Sequence, residues 1–126
     1  MYKIAIISPD PFLRELLCNS FALTEAEIST FERWSDSLLV PSRCNLVVSL
    51  IGYPFLYGYD AALRLRGGDE ATENERPRIY VLSWLHDEQN VVSMLESGVD
   101  QYFTLPVNIP RLCGKIAAQI GVWRNG

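Results

Sequence analysis

Blocks of buried-type residues alternate along this chain with stretches that repeat at helical spacing. Lys3 to Ile7 (KIAII), Leu46 to Ile51 (LVVSLI) and Arg78 to Ser83 (RIYVLS) are short, apolar and rich in β-branched residues. Such runs suit strands covered on both faces of a parallel sheet. Glu27 to Phe31 and Gln101 to Leu105 are weaker runs of the same kind. Asp10 before Pro11 is a good helix start, and Phe12, Leu13, Leu16, Leu17, Ser20 and Phe21 then recur at helical intervals, which predicts a first helix running to about Leu23. Trp34 to Val40 is a candidate second helix cut short by Pro41, and Tyr59 to Arg66 a third, ended by Gly67 and Gly68. Asp87 can cap a fourth from Glu88 to Ser97, with Val91, Val92, Met94 and Leu95 apolar and Gly98 as its left-handed stop. Asn108 caps the last helix, with Pro110 in its first turn and Leu112, Ile116, Ile120 and Trp123 on one side.

Strand and helix therefore alternate, and right-handed crossovers turn that order into an α/β fold. It is a flavodoxin-like, doubly wound, five-stranded parallel sheet with helices on both faces. Residues 1–121 form one domain, and 122–126 read as a tail or the start of a linker. The acidic, polar segment from Gly67 to Arg76 lacks large apolar groups and reads as a surface loop.

In such sheets ligands sit just past the carboxyl ends of the strands. The stretch from Asn45 to Gly58 (NLVVSLIGYPFLYG) places Ser49, Leu50 and then aromatic residues there, with no acid, histidine or lysine. That uncharged end is the main functional clue. Composition narrows the choice further. The chain has 126 residues and a formal net charge of −4, which suits one domain and argues against direct nucleic-acid binding. No apolar run spans a bilayer and no signal-peptide layout precedes the first strand, so the expected place is the cytoplasm, away from membranes. Cys18, Cys44 and Cys113 have no metal-ligand spacing and read as buried or half-buried thiols in a reducing compartment.

The chain resembles the receiver domain of two-component response regulators (the CheY-like fold) over nearly its whole length. The resemblance rests on KIAII followed by Asp10-Pro11-Phe12-Leu13-Arg14-Glu15-Leu16-Leu17, on NLVVSL with Pro54, Gly58, Tyr59 and Asp60 after it, and on Ile79-Tyr80-Val81-Leu82-Ser83. Glu96-Ser97-Gly98-Val99-Asp100-Gln101-Tyr102-Phe103-Thr104-Leu105-Pro106 completes it. The resemblance implies a phosphotransfer site with an acidic pair for magnesium after the first strand and a phosphoacceptor aspartate after the third. It also implies a hydroxyl residue after the fourth strand and a lysine after the fifth.

Residue by residue, most of that apparatus is replaced. The acidic pair falls on Ser8 and Pro9, with Asp10 next along as a helix cap. The phosphoacceptor position is Leu50, with Ser49 the nearby nucleophile but on the other side of the strand, and the lysine position is Leu105. Leu50 and Leu105 are expected to face each other and bury apolar surface. Ser83 keeps the hydroxyl position and Tyr102 the aromatic position that in the family changes rotamer with it.

The reading is a pseudo-receiver: not an enzyme, without metal or cofactor, acting in signal transduction or transcription regulation without phosphorylation. It would work through a protein partner, an output domain or a homodimer. The family's dimer face is the fourth helix, fifth strand and fifth helix, which here include Val91, Leu95, Tyr102 and Arg111. Tyr53, Phe55 and Tyr57 form a candidate contact loop or a lid, and Trp84, where a small residue usually stands, is expected to close the same space. Two alternatives stay open. One is residual phospho-acceptance by Ser49, Asp10 or another acid. The other is a flavodoxin-type small-molecule binder, disfavoured because Ser8-Pro9-Asp10-Pro11-Phe12 has no glycine and too few amides for a phosphate loop.

Overall fold

The computed structural model describes residues 1–33, 44–50, 77–85, 87–96 and 98–126. Five strands form one sheet: β1 (Tyr2–Ile7), β2 (Ala26–Phe31), β3 (Leu46–Leu50), β4 (Arg78–Ser83) and β5 (Gln101–Thr104). Their order is β2-β1-β3-β4-β5, and every pairing is parallel. The described helices are Pro11–Phe21, Glu88–Glu96 and Ile109–Asn125. The expected α/β sheet is thus present, with all strand ends pointing the same way.

The two-residue period of a strand divides the core cleanly. Tyr2, Ile4 and Ile6 of β1, Leu46 and Val48 of β3, and Tyr80 and Leu82 of β4 face one side. They pack there against Leu17 and Phe21 of the first helix and Leu112, Ile116 and Ile120 of the last. The alternate residues Ala5, Ile7, Val47, Ile79 and Val81 face the other side with Met94 and Val99. Helices therefore cover both faces, as a parallel sheet requires.

Local signals set the element ends. Asp10 Oδ1 accepts hydrogen bonds from the amides of Phe12 (2.9 Å) and Leu13 (3.4 Å) and caps the first helix. Asn108 Oδ1 does the same for the last helix, from the Arg111 amide at 3.0 Å. Gly98, at φ 110°, takes the left-handed stop after Glu96 that a side chain would oppose.

Several expectations are corrected. The first helix stops at Phe21 with Ala22 as its cap, short of Leu23. Its apolar stripe is also narrower than predicted: Phe12 is 83% exposed and Leu16 half out, while Leu13, Leu17 and Phe21 turn inward. The helix at Glu88–Glu96 forms where expected; among its residues with described side chains only Met94 is buried, and Val92 and Leu95 are exposed. The strand β5 ends at Thr104, although Leu105 continues the ladder through its amide to the Ser83 carbonyl (2.8 Å). The last helix runs beyond Trp123 to Asn125. The predicted helices at 34–40 and 59–66, the acidic loop at 67–76 and the contact-loop residues Tyr53, Phe55 and Tyr57 lie outside the described residues.

All three cysteines are free, Cys44 buried and Cys18 and Cys113 half-buried. Burial pushes up the thiols of Cys44 and Cys113 and the phenols of Tyr2 and Tyr80, the last also through the nearby Asp100 carboxylate. In each case the fold favours the protonated form. A raised acid is fully stabilising below its unfolded value, and that contribution falls as the unfolded chain ionises first. Stability against urea is therefore expected to be flat from neutral pH to about 8 and to decline steadily between about pH 8 and 11. A curve that rises over that window would contradict the buried, neutral state of these groups.

Candidate functional site

The sheet order reverses between β1 and β3, so the crevice between their carboxyl ends is the natural ligand position of this fold. Three serines stand at this carboxyl edge of the sheet, Ser8 after β1, Ser49 in β3 and Ser83 at the end of β4, and all three are fully buried. Buried hydroxyls need partners. Ser8 Oγ accepts from the Asp10 amide (3.1 Å) and lies 3.3 Å from the Asp10 carbonyl, closing a local turn. The Ser8 carbonyl receives Arg14 Nη1 at 2.7 Å, and the Ser8 amide donates to the Phe31 carbonyl at 3.0 Å. The loop after β1 is thereby tied to both the first helix and β2.

Pro9 and Asp10 are exposed. Proline offers no side-chain ligand, and the Asp10 carboxylate is already engaged by two helix amides. A magnesium ion wants several hard oxygen ligands. One serine hydroxyl turned into its own loop and one carboxylate spent on a cap do not fit that requirement. Among the described residues no three histidine, cysteine, aspartate or glutamate side chains come together.

Just past the carboxyl end of β5, Leu105 is 8% exposed and belongs to the core beside the first and last helices. Leu50 is half-buried and packs against that same cluster. The two positions to which the resemblance assigns opposite charges thus both belong to one apolar cluster here. The peptide between Leu105 and Pro106 is cis. Ser49 lies on the other strand face from Leu50, and its hydroxyl is 3.4 Å from the Leu50 carbonyl.

Ser83 and Tyr102 converge on a single residue, Leu85. Ser83 Oγ accepts from the Leu85 amide at 3.1 Å, and the Tyr102 hydroxyl donates to the Leu85 carbonyl at 2.5 Å. The Tyr102 ring is half-buried against the Val47, Val81 and Met94 side of the core. Sequence reasoning paired Ser83 with Tyr102 but did not find Leu85, because a backbone anchor leaves no trace in residue type. Trp84 is corrected. It is 64% exposed and closes no space, since inward-facing Ser83 and the turn it makes with Leu85 send the intervening side chain outward.

No family model matches the chain, and no curated protein matches it. Solved structures do. The chain is similar to the BeF3-activated DrrB receiver domain, at 23% identity over 96% of this chain and 98% of that one, with a TM-score of 0.81. The fold is that of a receiver domain. A receiver domain of a Francisella response regulator matches at 21% identity over 94% of this chain and 96% of its own, TM-score 0.76. The N-terminal domain of an uncharacterized protein from Wolinella succinogenes gives 18% identity, 99% and 98% coverage, and a TM-score of 0.83. No described helix of this receiver fold is long and apolar enough to cross a membrane.

The role of Asp10 as a cap can be measured. Asp10→Ala is expected to cost about 1 kcal/mol in urea unfolding, the usual loss for such a cap. Asp10→Ser, which keeps an acceptor, should recover most of it. Equal losses in both variants would mean that the carboxylate has a task other than capping.

Proposed function

We propose that this chain is a receiver-fold signalling module that passes information by protein contact and neither accepts a phosphoryl group nor catalyses a reaction. The observation that carries this reading is that Leu50 and Leu105, at the carboxyl ends of β3 and β5, both join one apolar cluster. A phosphoryl group there would meet no cation and would displace packed hydrocarbon, and burying an unpaired charge is costly. The occupied Asp10 carboxylate and the self-bonded Ser8 hydroxyl support the same reading at the metal position.

Contact with a partner or with a second copy is supported by apolar groups left outward near the Ser83–Tyr102 pair. Trp84, Val92 and Leu95 are exposed, and Tyr102 and Arg111 lie on neighbouring elements. Exposed tryptophan and tyrosine are favoured at interfaces. The setting we infer is a response-regulator pathway in a reducing cytoplasm, in keeping with three free thiols.

The experiment is incubation with acetyl phosphate and magnesium, read by intact-protein mass beside a standard receiver. No added phosphate is expected. Leu50→Asp combined with Leu105→Lys should lower stability by about 2–4 kcal/mol and still take up none. Phosphate on the unaltered chain would overturn the proposal, and ready uptake by the double variant would overturn the reading of the loop after β1. Sedimentation over a concentration series separates the two contact modes: self-association supports a dimer, and a monomer throughout leaves docking to another protein.

A further inference from the structure

The last helix is held unevenly along its length. Leu112 and Ile116 are fully buried and Ile120 nearly so, but every residue from Val122 onward is exposed. The final turn nevertheless stays helical to Asn125. Two side-chain contacts hold it. Trp123, 41% exposed, meets the Tyr2 ring edge-on with centroids 5.4 Å apart, and Arg124 pairs with Glu25. Both members of that ion pair are at least half exposed, so water screens it heavily. Gly121, just before this turn, has open space around its Cβ position and weakens the helix where the buried residues end.

On the Tyr2 side of this contact the arrangement has an internal cost. Tyr2 is only 1% exposed, and its hydroxyl has no hydrogen-bond partner among the described residues. Burying a hydroxyl without a partner opposes the gain from the edge-on contact made by the same side chain. The raised phenol of Tyr2 has desolvation as its first cause, in keeping with that burial. Tyr80, Arg78 and Asp100 act on Tyr2 only as more distant charges and leave the hydroxyl unpaired.

We propose that the final turn, Val122 to Asn125, is a latch with a docked and a released setting, and that the buried Tyr2 hydroxyl keeps the two close in free energy. Docking gains the edge-on ring contact and a screened ion pair. Release opens the hydroxyl to water and returns conformational freedom to the final turn. Ordinary fraying of a helix end would be indifferent to a single atom on β1. This latch depends on one.

Hydrogen exchange read by mass spectrometry, with thermal unfolding alongside, tests it on the whole chain. In the unaltered protein the amides of Val122 to Asn125 should exchange much faster than those of Leu112 to Ile120. Tyr2→Phe removes the orphan hydroxyl and keeps the ring, so it should slow exchange in the final turn about fivefold or more and raise the melting temperature by about 3 °C. Trp123→Ala should bring the final turn to the rates of an unstructured peptide while the earlier turns stay protected. Faster or unchanged exchange in Tyr2→Phe, or a lower melting temperature, would overturn the latch and show a hydroxyl that is satisfied when docked. Global unfolding of Trp123→Ala would overturn it too, since the turn would then belong to the core.

Discussion

A parallel sheet must be covered on both faces, because its crossover helices lie on both sides of it. In this chain that requirement governs almost every strand position. Ile4 and Ile6 pack toward Leu17, Phe21, Leu112 and Ile116, while Ala5 and Ile7 pack toward Met94 and Val99. A one-residue slip of β1 would exchange these sets and put Ala5 where Ile4 and Ile6 fill space. Register is thus fixed by packing, and the register in turn aligns the strand ends that form the crevice. Ser83 reaches its position opposite Thr104 only because Leu82 is matched with Phe103 one step earlier.

The same constraint limits what the crevice can hold. Its residues continue strands that are already enclosed, so any polar group there must find its partner within the protein. Ser8, Ser49 and Ser83 meet that demand with hydroxyls, small groups that bond neighbouring backbone. Charged groups could meet it only as a matched set, each neutralising another. Leucine at both Leu50 and Leu105 is the other self-consistent solution, and full burial of a leucine side chain contributes roughly 1.5–3 kcal/mol. A mixed set, with one charge kept and its partner lost, would be worse than either.

Much of this was legible in the residues, and the limits have physical reasons. KIAII, LVVSL and RIYVLS announce strands because two-sided burial leaves no polar alternation. Asp10-Pro11 and Asn108 with Pro110 announce helix starts because a cap is local chemistry. Phe12 and Leu16 were misjudged because helical spacing says which residues share a face and not how wide the buried stripe is. Trp84 was misjudged because its direction follows from the inward turn of Ser83, which spacing alone does not give. The link through Leu85 was invisible, since its backbone groups are those of any residue.

That link bears on how such a module could switch without phosphate. Ser83 and Tyr102 hold opposite sides of Leu85, one through its amide and the other through its carbonyl. The resemblance implies a switch in which the hydroxyl moves and the aromatic residue follows. On the contact-driven reading the hydroxyl is already committed, so the partner must supply the free energy that would release it. Two ordinary hydrogen bonds amount to about 1–3 kcal/mol net, and a ligand shifts a two-state equilibrium only by its differential affinity for the states. A partner that binds one setting about tenfold to hundredfold more tightly covers that range. Exposed Trp84 lies between the two bonds in sequence, so a partner that grips this ring acts on the Leu85 backbone directly. On the proposed reading the pair can then remain a switch although Leu50 and Leu105 both belong to the apolar cluster at this end of the sheet.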